Sequence, residues 1–483
     1  MASSTFLVII AAYFLLLLGL AWYTGRASDN ESFFIGNRKS NWMLVAFGMV
    51  GTMLSGVTFI SVPGTVGANG FAYFQVVIGN WIGFMLVALV LLPLYYRERL
   101  TSLYDYLGNR FGPAARKTGA AFFILSRVLG ATARLYLVVN VLHLLIGEHA
   151  GMPFALTAGI ILLMIWLYTF QGGVKTIVFT DTLQTACMLG GLAVCVIYLA
   201  NSMEGNIGAR LAASHLTQVW NTDPNAAGFW LKQVLGGVFI ALVMTGLDQE
   251  MMQKNISVPR LADSQKNIFC SSLVLLLVNG LFLLLGALLT LFAQAHQLPA
   301  GGDELFPMVV MRYFPAWVQI IFFVALISAL FPSADGALTA LTSSFCIDIL
   351  GIRSRTDWSD ATARRVRQVT HVAFALLFFA VVMGFKWLDD KSVIDTILKL
   401  AGYTYGPLLG LFAFGMFTHR SLPKVAGVVG GAVAAPLICF ALAQWLAQRP
   451  QGYQLGIELL VINGALTFLL LWAASAPPTR EES

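Results

Sequence analysis

Residues 42–66 read WMLVAFGMVGTMLSGVTFISVPGTV. The stretch is long and apolar enough to cross a bilayer, yet its middle is poor material for a regular helix. Gly48, Gly51, Ser55 and Gly56 crowd together, β-branched Val57 and Thr58 follow, and Pro63 comes next. Glycine loosens the backbone, and proline removes a donor and clashes with the preceding turn. In lipid, a freed carbonyl is tolerated only where it lines a polar cavity or meets a partner. Two readings are open on this stretch alone. One is a kinked packing helix, since Gly and Pro are common in membrane spans. The other is a discontinuous helix whose opened turn, near 51–58, binds an ion and a solute.

The rest of the chain favours the second reading. Of the 483 residues, 58% are hydrophobic and 11% charged, against about 25% charged in soluble domains. The apolar runs are about 20 residues or longer, where barrel strands alternate over about 10. The chain is therefore expected to be an all-α, polytopic membrane protein. Thirteen spans are predicted, near 4–25, 42–66, 71–96, 118–147, 152–171, 177–201, 229–252, 269–295, 315–348, 368–387, 393–418, 423–447 and 454–474. The first lacks a basic leader and a cleavage site and reads as a retained span.

Charge placement predicts orientation. With the N-terminus outside, the inside segments carry Arg26, Arg38, Lys39, Arg97, Arg99, Arg110, Arg116, Lys117, Lys175, Lys254, Arg260, Lys266, Arg353, Arg355, Arg364, Arg365, Arg367, Arg420, Lys424 and Arg480, most of the 29 basic residues. Cytoplasmic loops attract Lys and Arg, so the C-terminus is expected inside. These loops are short and separated, and no nucleic-acid partner is called for. The five cysteines all fall in apolar segments, without CxxC or His-rich spacing. No disulfide and no transition-metal site are expected.

Spans two to six and seven to eleven form two groups of five, which must insert in opposite orientation. Each opens on an interrupted helix; the second carries Gly246, Asp248, Gln249 and Glu250 within an apolar run. Paired broken segments at matching positions point to an inverted-repeat transporter with its site between the halves. The expected organisation is an extra helix and inside loop (1–41), a first repeat (42–201), an outside loop (202–228), a second repeat (229–418), and two peripheral helices with a tail (419–483). The outside loop is expected to place a short helix over a vestibule. Glu250 is read as marking the cytoplasmic end of its helix.

Ionisable groups inside spans are rare and functional by default. Asp181 lies about one turn into its span. Asp335 lies mid-span, among Ser328, Ser333, Thr339, Thr342, Ser343 and Ser344. Small residues also let helices pack closely, but carboxylates with hydroxyls and free carbonyls supply the oxygens that a hard monovalent cation needs. Arg127 and Arg134 are seven apart and share a helical face. An arginine there needs a protein carboxylate, carbonyls or an anionic substrate; a structural salt bridge and a substrate contact both fit. Asp395 and Lys399, four apart, read as a structural pair. There is no Walker A sequence, HExxH or GxSxG signature, so no enzyme is expected and transport must draw on an ion gradient.

The chain resembles the sodium/solute symporters, the sodium-coupled carriers of sugars, proline, pantothenate and sialic acid. The resemblance covers about residues 5–475. It rests on ESFFIGNRKSNWMLVAFGMVGTMLSGVTFISVPG, LYDYLGNRFG, QGGVKTIVFTDTLQ, TGLDQEMMQK, PSADGALTALTSSFCIDI and YGPLLGLFAFGMF. It implies a LeuT-like five-plus-five inverted repeat with extra helices. It also implies a sodium site made by the carbonyls of Gly51, Leu54 and Ala329 and the Ser333 hydroxyl. Pro332 stands where the family usually has a second hydroxyl. Asp181 matches the family's acid on the sodium exit path and, with Asp335, implies a second sodium site, although Gly336 lacks a hydroxyl offered there elsewhere. The segment LSGVTFISVP looks most like the sialic acid transporters, which places Ser55, Gly56, Thr58 and Arg127 at the solute. Tyr73, Gln75, Thr245, Gln249, Tyr403 and Tyr405 are further candidates for the pocket lining. Met244 and Thr245 stand where sugar carriers have a stacking tyrosine and its tryptophan neighbour.

The function implied is sodium-coupled import of a small, carboxylate-bearing organic solute such as sialic acid across the cytoplasmic membrane, by a monomer in the lipid bilayer. A neutral sugar or polyol, with Arg127 structural, is the alternative. A channel needs a continuous polar pore, whereas these polar residues converge at one depth. A sensor needs a signalling domain, which the short tail does not provide. Coupling to protons instead of sodium stays open through Asp181 and Asp335.

Overall fold

The computed structural model describes residues 3–25, 30–148, 151–224, 226, 228–298, 301–355, 357–388, 393–448 and 455–477. Among these, ten helices are long and apolar enough to span a membrane. They are Val8–Gly25, Trp42–Asn69, Tyr73–Arg97, Pro113–Leu142, Gly173–Asn201, Leu261–Ala295, Ala316–Ile349, Asp360–Trp387, Lys399–Phe417 and Val425–Ala447. A broken pair, Trp230–Gly246 and Gln249–Ile256, bends by 63°. Two shorter apolar helices, Phe154–Phe170 and Leu459–Ala474, complete the set. Each predicted segment thus corresponds to a helix or, for the seventh, a broken helix; they are numbered as spans 1 to 13 below in chain order, eleven of them long and apolar enough to cross a membrane if the broken pair counts as one. The only β pairing among the described residues is an isolated bridge between Ser421 and Ala476.

The interruption in span 2 falls at Ser55, with φ 44° and ψ 168°. The glycines were the expected cause, and they are not. Gly48 and Gly51 sit under span 6, where added Cβ atoms would lie 3.0 Å from Asp181 Cβ and 2.1 Å from Thr185 Oγ1. They allow close helix packing, while a non-glycine residue takes the left-handed conformation. That conformation costs about 1–3 kcal/mol unless the surroundings enforce it. In span 7 the break follows a π-helical turn, Leu242–Gly246. Spans 5 and 6 run as one bent element and part at Gly173, φ 52°, where a Cβ would strike Phe33. Only glycine meets both demands there.

Helix packing repeats with inverted order. Span 2 packs broadly on span 8, and span 7 on span 3. Span 9 packs on span 6, and span 4 on span 11. Exchanging each span of the first five with its counterpart in the second five converts one pair into the other, as an internal two-fold requires. Spans 3 and 7 meet backbone to backbone: a Cβ on Gly79 would stand 2.0 Å from the Val234 carbonyl oxygen.

Two features of the outer elements differ from expectation or extend it. Spans 12 and 13 were expected to be peripheral, yet one of them is tied to the bundle by a buried polar group. Asn463 of span 13 is fully buried and donates to the carbonyls of Gly402 and Tyr403, each at 3.0 Å, fastening span 13 to span 11. The loop 202–228 does hold a short helix, Ile207–Ala213, capped by the Asn206 side chain. The Asp395 side chain lies outside the described residues, so its expected pairing with Lys399 has no structural counterpart here.

Replacing Gly79 by Leu forces apart the span 3–span 7 contact. Overpacking of this kind costs about 1–3 kcal/mol, so the G79L protein is expected to melt several degrees below wild type in detergent. An unchanged melting temperature would show that the two spans do not meet there.

Candidate functional site

Where span 7 breaks, tyrosines from neighbouring elements donate to two of its carbonyls. Tyr95 donates to Gly246 O at 2.9 Å and Tyr104 to Leu247 O at 3.4 Å. Asp248 then starts the second half-helix as its N-cap: Oδ1 accepts from the amides of Glu250 (2.9 Å) and Met251 (3.3 Å). A carboxylate suits that position, because unpaired N–H groups and the helix dipole converge on it. Its other oxygen accepts from Tyr405 of span 11 at 2.7 Å and lies 3.6 Å from Arg127 Nη1.

Glu250 does not mark an exposed helix end. It is 1% exposed and bonded to Arg127 of span 4. One turn further, Lys254 is not a loop charge either. It is 3% exposed, with Nζ 2.7 Å from Asp181 Oδ2 and 3.5 Å from Glu250 Oε1. Thr52 of span 2 completes the contact, 2.7 Å from Lys254 Nζ and 3.1 Å from Asp181 Oδ2. The result is a chain of alternating charge, Asp181–Lys254–Glu250–Arg127–Asp248, buried between spans 2, 4, 6, 7 and 11. Removing one partner from such a chain strands a buried charge.

The other predicted residues fall into distinct groups. The opened turn of span 2 releases carbonyls of the preceding turn, Gly51–Leu54, because Ser55 interrupts the ladder that would bond them. Gly56 lies against span 9, where an added Cβ would be 3.8 Å from Ala329 O, and against span 4, where it would overlap Val138. The overlap explains the absence of a hydroxyl side chain at 56. Ser333 is buried and donates to Leu330 O at 3.1 Å. Asp335, also fully buried, accepts from Tyr168 at 2.7 Å and from the Gly336 amide. Asp181 and Asp335 therefore have separate partners.

Thr58 and Tyr73 line a cavity of about 60 Å³ with Leu54, Asn80, Trp81 and Asn279. Around it Asn80 Oδ1 and Trp81 Nε1 are buried without a hydrogen-bond partner among the described residues. Tyr73 also borders a larger cavity, about 740 Å³, with Thr65, His215, Gln233 and Lys399. It thus stands between the vestibule under the 202–228 loop and the interior. Thr245 is buried in the π-helical turn of span 7. Gln249 does not reach the cavity: it accepts from Leu103 N at 2.8 Å and donates to Thr101 O at 3.4 Å. It anchors the loop after span 3.

That loop is clamped at the arginine-rich end of the bundle. Arg116 reaches Asp105 at 2.9 Å and Asp348 at 3.0 Å, while Ser102 and Ser344 donate to Asp348 at 2.7 and 2.8 Å. Spans 4 and 9 and the 100–105 loop are closed together there. The cavity lies at the opposite end.

The sequence matches the model of the sodium:solute symporter family over residues 33–431. The chain belongs to that family. Among its relatives, the sodium/sialic acid symporter SiaT of Proteus mirabilis is 21% identical over 87% of this chain and 86% of its own. The sodium/sialic acid symporter NanT of Aliivibrio fischeri is 22% identical, covering 84% and 81%. The human sodium/iodide cotransporter is 25% identical, covering 91% and 69%. A solved structure of a Na+-coupled sialic acid symporter in a substrate-bound, outward-open state superposes with a TM-score of 0.82 at 20% identity, covering 98% of this chain and 99% of that one. Its likeness shows the LeuT-like fold. The symporter is a multi-pass membrane transporter driven by sodium, not an enzyme, as the sequence led us to expect.

Sequence reasoning missed the ladder because its signal is tertiary. Only the Asp248 N-cap was visible locally, as Gly-Leu-Asp-Gln-Glu at the end of an apolar run. Replacing Arg127 by Ala leaves Glu250 buried and unpaired, and is expected to cost about 3–5 kcal/mol, read as a fall in melting temperature in detergent. The double variant R127M/E250M is expected to recover most of that loss. An R127A protein as stable as wild type would show that the pair carries no stability.

Proposed function

We propose that this symporter imports a small carboxylate-bearing solute, of the sialic acid type, together with sodium. The observation that carries the reading is a division of labour between two arginines. Arg127 is already neutralised by Glu250 and Asp248. Arg134, two turns along the same helix and only partly buried, makes no hydrogen bond or ion pair among the described residues. Its electrostatic neighbours are Arg127, Tyr405, Asp248 and Tyr73. A guanidinium held inside a membrane protein without a protein partner is poised for an anionic ligand, and its planar fork suits a carboxylate. We therefore move the carboxylate contact from Arg127 to Arg134, with Ser55, Thr58, Tyr73 and Thr245 lining the solute path. Relatives that transport sialic acid support the class of solute.

Sodium is assigned to the junction of spans 2 and 9, with the carbonyls of Gly51, Leu54 and Ala329 and the Ser333 hydroxyl as ligands. Bound there, the ion ties the opened turn of the first repeat (42–201) to the second (229–418). It thereby favours the form that is closed at the Arg116–Asp348 clamp and accessible from the vestibule. Solute binding to that form and sodium binding then reinforce each other by the same factor. The excess of Lys and Arg at the clamp end supports a cytoplasmic position for it, hence an outside N-terminus, an inside C-terminus and uptake across the inner membrane. The LeuT-like bundle contains both repeats in one chain, so a monomer suffices.

Uptake of N-acetylneuraminate into proteoliposomes is expected to require an inward sodium gradient and to stop when potassium replaces sodium. R134A is expected to lower solute affinity at least 100-fold while saturable sodium binding survives. Equal uptake in potassium would refute sodium coupling. Full transport by R134A would return the carboxylate to another group, or favour a neutral solute.

A further inference from the structure

Asp181 and Asp335 were expected to form a second sodium site, and the structure puts a different cation at Asp181. Lys254 Nζ carries three hydrogens, and three oxygens surround it: Asp181 Oδ2 at 2.7 Å, Thr52 Oγ1 at 2.7 Å and Glu250 Oε1 at 3.5 Å. Those oxygens come from spans 6, 2 and 7. Two carboxylates and a hydroxyl, dry and converging, are the ligand set a hard monovalent cation selects. The second Asp181 oxygen accepts no hydrogen bond among the described residues.

A vacated position in span 9 makes this arrangement possible. A Cβ on Gly336 would stand 2.2 Å from Glu250 Oε1. Any side chain at 336, a hydroxyl included, would push the Glu250 carboxylate out of the gap beside Asp335. With glycine there, Glu250 enters and pairs with Lys254 one helical turn away and with Arg127 across the interface. Asp335 turns to Tyr168 instead.

We infer that Lys254 is a tethered replacement for a second sodium ion, so that this symporter binds one sodium where the Asp181 oxygens could otherwise hold another. A free ion entering the same oxygen cage would sit against an ammonium of like charge and would have to displace it. Because the ammonium is fixed to span 7, it bridges spans 2, 6 and 7 in every cycle without being released. The inference extends the sodium assignment above: that assignment concerns spans 2 and 9, this one the Asp181 cage.

Equilibrium binding of 22Na+ to purified protein, with no solute present, tests it. Wild type is expected to bind one sodium per chain, K254R one, and K254M two. In wild type, D181N is expected to leave the count at one. Two sodium ions on wild type would overturn the inference. So would a folded K254M protein whose count does not rise, which would make Lys254 a structural counter-charge only. If K254M does not fold, K254Q is counted in its place: two sodium ions uphold the inference, and a folded K254Q with one overturns it, as does a D181N protein that loses the single sodium. No saturable binding to wild type with one ion on K254M would sink the span 2–span 9 assignment and still uphold Lys254 as the occupant of the second site.

Discussion

Five buried charges of alternating sign, from Asp181 through Lys254, Glu250 and Arg127 to Asp248, hold the interior of this symporter in register. Arg127 lies within span 4, Asp181 within span 6, and three of the five lie on the second half of the broken span 7. Buried ion pairs gain little over well-packed apolar groups, but breaking one is costly. Such a chain therefore specifies one arrangement of helices more than it adds stability. Here the arrangement fixed is that of the interrupted helix against its neighbours.

The interruptions themselves are stabilised in different ways in the two repeats. In span 7 the released carbonyls meet tyrosine hydroxyls, and the new helix start meets its own aspartate. Polar groups of the protein thus meet two carbonyls and two amides at that break. In span 2 the break is a strained serine, and the residue after it, Gly56, lies against span 9 near Ala329. The first break is the one we propose for sodium, and the second engages polar groups of the protein. A pseudo-symmetric pair of broken helices thus has one arm suited to binding and one suited to anchoring. Gln249, bonded to the 101–103 backbone, belongs to the anchoring arm.

Glycine and serine exchanged the roles that composition assigns them. The glycines of span 2 are packing surfaces for span 6, and the same economy of volume recurs at Gly56 against Val138 and at Gly336 against Glu250. In each case the missing side chain is read correctly only with the opposing atom in view. The absent hydroxyl at 336 leaves room for a carboxylate, and that carboxylate recruits a lysine.

The sequence alone determined the membrane class, the order of the apolar helices, the two interrupted helices and the family, since hydropathy, breaker residues and motif strings are all local. It also marked Asp181, Asp335 and Arg127 as buried charges, because any such group inside an apolar run is conspicuous. Which charge meets which was decided only in three dimensions. Lys254 and Glu250 sit four residues apart at the end of an apolar run and look like a cytoplasmic boundary. A 63° bend after Gly246 turns that segment back into the bundle, where residues 73 and 123 positions away in the chain become their partners. Pairing over that range depends on the angle of a break, and no local pattern encodes the angle.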